Sequence, residues 1–310
     1  MRPAIYIPTY DGRERLGRTL RSLEAQSRPV DVVVVDNGSG DGTAELLREQ
    51  FPEVTLLELG RNLGFGPALN RAIEAHPGDP AILLNNDAVA EPRFVEALLD
   101  AAAEGAECIA GVLAQEADPG RIDSAGVVAD RTLMGFDYLH GEPLAAAERA
   151  AAPLGPSGGA ALYRLPAFQA AGGFDERIFL YYEDLDLALR LRAAGARCRL
   201  APGARAVHAY SASLGAASGE KYARSGWSRG YMLRRYGIAS QPGRAARALA
   251  AEAAICAGQL LRDRTAQGLR GRLRGWRDGA GLEHLPAVAD EDLLDIGLHE
   301  ALVLRRKRRA

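Results

Sequence analysis

The chain has 310 residues, 47% apolar and 25% charged, ordinary for a soluble globular protein with a full core. Its net charge of −2 excludes a general electrostatic case for nucleic acid as a partner. Cys108, Cys198 and Cys256 are far apart in sequence and in no metal-ligand spacing, so they read as free thiols of a reducing compartment.

The opening MRPAIYIPTYDGRER has too short an apolar run for a signal peptide. No stretch approaches the roughly 18–20 apolar residues of a membrane span, so the expected location is cytoplasmic. Residues 3–8 form a short apolar strand, and Arg15–Gln26 carries Leu16, Leu20 and Leu23 at helical spacing. Val30–Val35 is a β-branched run without alternation, as in a central parallel strand covered on both faces. Helix Thr43–Phe51, with Thr43 as N-cap, strand Val54–Leu59 and helix Phe65–Ala75 follow. Strand Ala81–Leu84 is cut off by Asn85-Asn86-Asp87, then come helix Pro92–Gly105 and strand Cys108–Leu113. This alternation predicts a parallel α/β sheet, whose ligands bind beyond the carboxyl ends of the strands. Thr9–Asp11, Asp36–Asp41 and Asn85–Asp87 all fall at those ends.

Gln115–Pro156 is weakly patterned, with antiparallel strands expected at Gly126–Ala129 and Leu133–Tyr138 and a mobile loop near Gly141–Pro156. Ser157–Tyr163 reads as a strand and Pro166–Ala171 as a short helix stopped by Gly172-Gly173. An acid-rich helix, YYEDLDLALRLRAAG, spans Tyr181–Gly195, and a strand near Arg197–Ala201 precedes His208. From Ala223 the pattern is helical, with arginines from Arg244 to Arg277 interleaved with Leu, Ile and Trp. Residues 241–310 hold 13 Lys+Arg against 9 Asp+Glu, so a basic tail follows an acidic body.

Asn85-Asn86-Asp87 offers hard oxygen ligands suited to magnesium or manganese, or is an Asx turn ending a strand. Asp36 and the glycines after it suit a ribose or base contact, or a tight βα loop, about equally. Arg61–Gly66 lacks the spacing of a dinucleotide fingerprint and is read as loop packing against ligand. His208 alone is more readily structural. It gains a role only if Asp87 holds a metal. In the acid helix, 100° per residue puts Asp184 with Leu187, Ala188 and Leu191, and puts Glu183 and Asp186 with Arg190. Asp186 and Arg190 have ion-pair spacing. Asp184 has no such structural explanation.

Together IPTYDGRERLGRTLRSL, VVVVDNGSGDGT, RNLGFGPALNRAI, LLNNDA, GGFDERIFLYYEDLDLALRLRAAG and the later His208 resemble a family 2 glycosyltransferase, in its rhamnosyltransferase-like branch. The resemblance spans roughly residues 3–215. It implies the GT-A fold, a Rossmann-like mostly parallel sheet with flanking helices, followed by a helical C-terminal region. The expected division is a catalytic domain at 1–215 and a helical region at 216–310. The resemblance implies nucleotide contacts at Thr9, Tyr10, Asp36, Asn62 and Asn86. It implies a divalent cation, Mg2+ or Mn2+, on Asp87, Asn85 and His208, with Asn85 standing where the family has an aspartate. It further implies Asp184 as base beside Glu183, and Gly173, Phe174 and Asp175 near the acceptor.

The expected reaction is an inverting transfer of a sugar, rhamnose in the branch it resembles, from a nucleoside-diphosphate sugar to a hydroxyl of a glycan or lipid-linked acceptor. Two alternatives stand beside it, a sugar-nucleotide nucleotidyltransferase and a non-catalytic nucleotide-sugar-binding protein. The first wants a Gly-rich basic loop after the first strand, and IPTYDGRERL has one glycine there. The basic tail is read either as a peripheral contact with the inner face of the cell membrane near a lipid-linked acceptor, or as packing on the catalytic domain or a second subunit of a homo-oligomer.

Overall fold

The computed structural model describes residues 1–209 and 218–307. β1 (Ala4–Thr9), α1 (Arg13–Glu24), β2 (Asp31–Asp36), α2 (Thr43–Gln50), β3 (Thr55–Glu58), α3 (Phe65–Ala75) and β4 (Ala81–Leu84) make the alternating first half. Its strands are parallel and lie in the order β3-β2-β1-β4. Ile5, Ile7, Val34 and Ile82 face one apolar layer, while Tyr6, Val33, Val35 and Leu83 face the other. Burial on both faces explains the unbroken apolar runs. Gly42, not Thr43, occupies the N-cap position of α2, in the left-handed region at φ +83°. Asp41 does the capping instead, accepting from the Thr43 amide at 3.2 Å and its hydroxyl at 2.5 Å.

Beyond β4 come β5 (Ala88–Ala90), α4 (Phe94–Ala103), β6 (Cys108–Gln115), β7 (Ile122–Ser124), the hairpin β8 (Val127–Ala129) and β9 (Gly135–Asp137), and β10 (Ala160–Tyr163). The stretch expected as a loop at Gly141–Pro156 includes a 3-10 turn, Leu144–Arg149. α5 (Leu165–Ala170), α6 (Glu183–Ala193) and β11 (Cys198–His208) complete the sheet-bearing part. The sheet continues β4-β10-β6-β11-β5. β10 is antiparallel to both β4 and β6, so the sheet is mixed at its centre. β11 runs parallel to β6, reaches seven residues past the expected strand end and finishes at His208. The same pairing sets Cys108 opposite Cys198, two buried free thiols.

α7 (Gly219–Arg235), α8 (Pro242–Asp263), α9 (Gln267–Asp278) and α10 (Leu298–Lys307) form the C-terminal helical layer. The expected boundary at 215/216 lies outside the described residues. Tyr231, Met232, Tyr236, Ala248 and Leu293 of that layer share one apolar cluster with Leu133, Ile178, Leu185 and Leu189. α7 and α9 touch through glycines. A Cβ on Gly275 would fall 1.9 Å from the Trp227 carbonyl oxygen, and one on Gly230 would fall 2.1 Å from that of Arg272. Small residues therefore set the packing face, and Leu269 and Leu273 of α9 point outward. Arg229, Glu252 and Arg272 form a buried triad. Glu252 accepts from Arg229 Nε at 2.6 Å and Arg272 Nε at 2.5 Å, and Arg229 also donates to the Leu133 carbonyl at 2.7 Å.

Candidate active site

The carboxyl ends of β1, β2 and β4 bring three polar clusters to one edge of the sheet. Thr9 and Asp36, the last residues of β1 and β2, are register partners, and both are buried. Asp36 accepts from the Ser39 amide at 3.1 Å and the Ser39 hydroxyl at 2.5 Å, which shapes the glycine-rich loop. Tyr10 beside them is 46% exposed, an aromatic face turned to solvent. Asn86 donates to the Thr9 hydroxyl at 2.9 Å, so the turn after β4 is tied to β1. Asn62 accepts from the Gly64 amide at 3.0 Å, and Asn37 clamps the same loop through Leu63 N and Gly64 O. Asp11 takes a structural position, accepting from the Gly40 amide at 2.8 Å.

The turn after β4 meets the end of β11. His208 Nε2 lies 3.2 Å from Asp87 Oδ1 and 3.1 Å from the Asn85 side-chain amide nitrogen. On the other side of the ring, Nδ1 is 2.7 Å from Asp123 Oδ2 on β7. Asp123 is buried, and its carbonyl lies 2.7 Å from His140 Nδ1. Burial favours neutral imidazole, but the Asp123 and Asp87 carboxylates reverse this and raise the His208 pKa from 6.5 to about 10. Sequence reasoning does not find Asp123, which sits in a three-residue strand within a weakly patterned stretch. A carboxylate behind a metal-facing imidazole fixes its tautomer and orientation.

Asp87, Asn85 and His208 thus place a carboxylate, an amide and an imidazole together. Among the described residues no group of three His, Cys, Asp or Glu side chains is arranged to hold a metal alone. The mixed donor set nonetheless fits a hard divalent cation whose shell is completed by diphosphate oxygens.

The acid helix divides its carboxylates. Asp186 is fully buried and accepts from Arg190 Nε at 2.9 Å and Nη2 at 2.7 Å, as its spacing predicts, and from the Tyr236 hydroxyl at 2.9 Å. Burial raises its pKa against the pull of Arg190. Glu183 is also buried. Asp184 is less buried and accepts from the Leu185 amide at 2.7 Å and the Gly158 amide at 3.3 Å. The next residue, Gly159, accepts from the Asn85 amide at 3.2 Å. Two consecutive glycines therefore join Asp184 to the Asn85–Asp87 turn. A Cβ on Gly158 would meet the Phe65 ring at 2.7 Å, and one on Gly159 the Asn85 side chain at 3.0 Å.

The three residues expected near the acceptor separate. Phe174 is 1% exposed and packs edge-on against Phe65, Tyr163 and Phe168. Its side chain is core and has no surface for an acceptor. Gly173 turns the chain at φ +64°. Asp175 accepts from the Tyr231 hydroxyl at 2.5 Å, docking the loop before the acid helix onto α7.

Residues 4–169 match Glycosyl transferase family 2. The chain is 36% identical over 235 residues to an N-acetylglucosaminyl-diphospho-decaprenol L-rhamnosyltransferase of Mycobacterium tuberculosis, covering 67% of this chain and 76% of that protein. It is 30% identical to the O-antigen biosynthesis protein RfbC of Myxococcus xanthus, over 68% of this chain and 17% of that one. Among solved structures, the mannosyltransferase PcManGT of Pyrobaculum calidifontis, in complex with GDP-Man and Mn2+, superposes with a TM-score of 0.53 at 19% identity, over 90% of this chain and 87% of its own. S. aureus TarS 1–349 does so at 0.52 and 17%, over 90% and 79%. These likenesses agree with the mixed sheet and flanking helices of the GT-A fold. The protein is a glycosyltransferase and belongs to glycosyl transferase family 2.

Proposed function

We propose that the chain catalyses an inverting transfer of a sugar, rhamnose by analogy with the mycobacterial relative, from a nucleoside-diphosphate sugar to a hydroxyl of a lipid-linked glycan. The observation that carries this reading is the Gly158-Gly159 link, which sets Asp184 beside the turn bearing Asp87. In this reading Thr9, Tyr10, Asp36, Asn62 and Asn86 line the nucleotide. Tyr10 offers its exposed ring to the base, and Asp36 offers a carboxylate to ribose. Asp87, Asn85 and His208 would hold Mg2+ or Mn2+. When bound, the cation neutralises charge on the leaving diphosphate. With the cation bound and the ring neutral, Asp123 would hold the remaining proton of His208 on Nδ1 and leave Nε2 as the donor atom.

Asp184 takes the proton of the acceptor hydroxyl as that oxygen attacks the anomeric carbon. Its oxygens are oriented by the Gly158 and Leu185 amides, so the base is aimed before substrate arrives. Glu183 stands beside it. Asp184→Asn is expected to lower transfer about 10²- to 10⁴-fold, the usual range for a general base, while nucleotide binding survives. Turnover close to wild type, measured as nucleoside diphosphate released with acceptor present, would sink the assignment of the base.

The basic tail fits a membrane-surface contact in part. Leu249 and Leu261 of α8 are 72% and 80% exposed, and Leu260, Leu269 and Leu273 are exposed nearby. No helix among the described residues is long and apolar enough to cross a membrane. Deleting residues 241–310 would remove Glu252 and Arg272 from the buried triad, so point changes at Leu260 and Leu261 make the cleaner vesicle-sedimentation test.

A further inference from the structure

The loop before the acid helix leans on α7 and α9, and a cavity of about 260 Å³ lies between them. Arg177 of the loop, Arg224 of α7 and Arg274 of α9 line it together with Phe179, Trp227 and Gly271, and among the described residues no carboxylate does. Arg224 is held in place. Its guanidinium lies 3.6 Å from the Phe179 ring centroid, and it donates to Glu220 at 2.6 Å and 2.9 Å. The acids nearest in chain are already engaged. Asp175 accepts from the Tyr231 hydroxyl at 2.5 Å and lies 3.5 Å from Arg177 Nη1, and Asp278 accepts from Trp227 Nε1 at 2.6 Å. Arg274 is exposed and makes no ion pair with any described residue. Three guanidiniums around a small cavity, two of them paired at its edge with Glu220 and Asp175 and one without an ion pair among the described residues, form a receptor for a multiply charged oxyanion. The volume lies below the roughly 300–1,000 Å³ typical of small-molecule pockets, the scale of a charged group and not of a whole sugar nucleotide.

The position of the cavity identifies the anion. Its wall residue Phe179 accepts, through its carbonyl, from the amide of Phe65 at 2.9 Å, the first residue of α3 after the loop that carries Asn62. The chain then passes through Tyr181 and Tyr182, both at positive φ, into Glu183 and Asp184. An anion held here therefore sits beside the lead-in to the base. α9, which lends Gly271 and Arg274 to the cavity, also exposes Leu269 and Leu273, the latter next to Arg274 in the chain, apolar surface of the kind a hydrocarbon chain would meet. We propose that this cavity binds the phosphate or diphosphate that joins the acceptor glycan to its lipid. The inference rests on the reading of the chain as a transferase to a lipid-linked acceptor and names the group by which that acceptor is held. The same chemistry is offered by phospholipid headgroups, and the test separates the two sources.

The experiment compares the full-length protein with Arg274→Gln and Arg177→Gln/Arg274→Gln. Both side chains are exposed enough for the variants to fold. Transfer is measured to a short-chain isoprenyl diphosphoryl glycan and to the same glycan on a neutral alkyl aglycone. Loss of one charge-assisted contact should raise KM for the diphosphoryl acceptor by about 10-fold or more, leave kcat at saturation in place, and leave KM for the neutral acceptor unmoved. Equal effects on the two acceptors, or none, overturn the proposal. A drop in sedimentation with phosphatidylglycerol vesicles while the acceptor KM holds assigns the cavity to headgroups and also overturns it. Calorimetric titration of inorganic pyrophosphate in chelator-treated, metal-free buffer gives a readout independent of turnover. Weaker binding by Arg274→Gln supports the cavity even if no donor is turned over, a result that would count against the transferase reading alone.

Discussion

His208 lies between two carboxylates, Asp87 and Asp123, and Glu252 lies between two guanidiniums, Arg229 and Arg272. The two clusters are electrostatic mirror images, yet they differ in closure. Around Glu252 the remaining donors are taken: Arg229 by the Leu133 carbonyl and the Thr132 hydroxyl, Arg272 by the Gly268 carbonyl. That cluster bolts α7, α8 and α9 to the β8–β9 hairpin. Around His208 one ring nitrogen is committed to Asp123, and the other meets a mixed group of amide and carboxylate at the cleft. A closed set of partners gives rigidity, while an open one leaves room for a ligand.

The largest effect is expected from breaking the closed cluster. Glu252→Gln leaves two buried guanidiniums without a counter-charge, which should destabilise the protein by about 3–5 kcal/mol. Burial alone would raise the Glu252 pKa, but Arg229 and Arg272 pull it down from 4.5 to about 2. Its stabilisation is therefore present above pH 4.5 and lost as pH falls through 2. The stability gap between wild type and Glu252→Gln should shrink by roughly 3 kcal/mol over that window. Urea unfolding across pH tests both statements, and a gap independent of pH would show that the triad is not held by charge. His208 behaves in the opposite sense. Its raised pKa makes its contribution complete below 6.5 and lost as pH rises through 10 in metal-free protein.

A smaller effect on stability, but a specific one on function, is expected from the open cluster. Asp123→Asn should weaken Mn2+ binding, measured calorimetrically with nucleoside diphosphate present, by about 10–100-fold. The unfolding midpoint should move less than in Glu252→Gln. Unchanged Mn2+ affinity would remove Asp123 from the site. The least effect belongs to Arg18→Gln, which breaks the exposed pair with Glu116. A change of about 0–1 kcal/mol would confirm that burial, not ion pairing as such, separates the clusters.

The first half of the sheet is legible because each element is bounded by its own chemistry. Helix Phe65–Ala75 and strand Ala81–Leu84 coincide with their expected limits, since Gly64 opens one and Asn85 closes the other. The Asp186–Arg190 pair follows from spacing alone. The insertion of β10 between β4 and β6 does not, because strand order depends on contacts that no local period encodes. Helical periodicity also treats Arg272 and Arg274 alike, as members of one basic stripe. The structure buries the first and exposes the second, because glycines and not leucines make the α7–α9 contact. Asp123 and the cavity arginines depend on pairings across tens of residues. Their residue types are ordinary, and only their convergence carries meaning.

Gly158 and Gly159 bear on how the site moves. One amide reaches the acid helix, and the neighbouring carbonyl reaches the turn after β4, with consecutive Cα atoms held about 3.8 Å apart by the peptide bond. The two halves of the proposed reaction centre are thus spaced by a covalent ruler as well as by packing. Thermal drift of the acid helix would carry the turn with it, so their separation should fluctuate less than the position of either one.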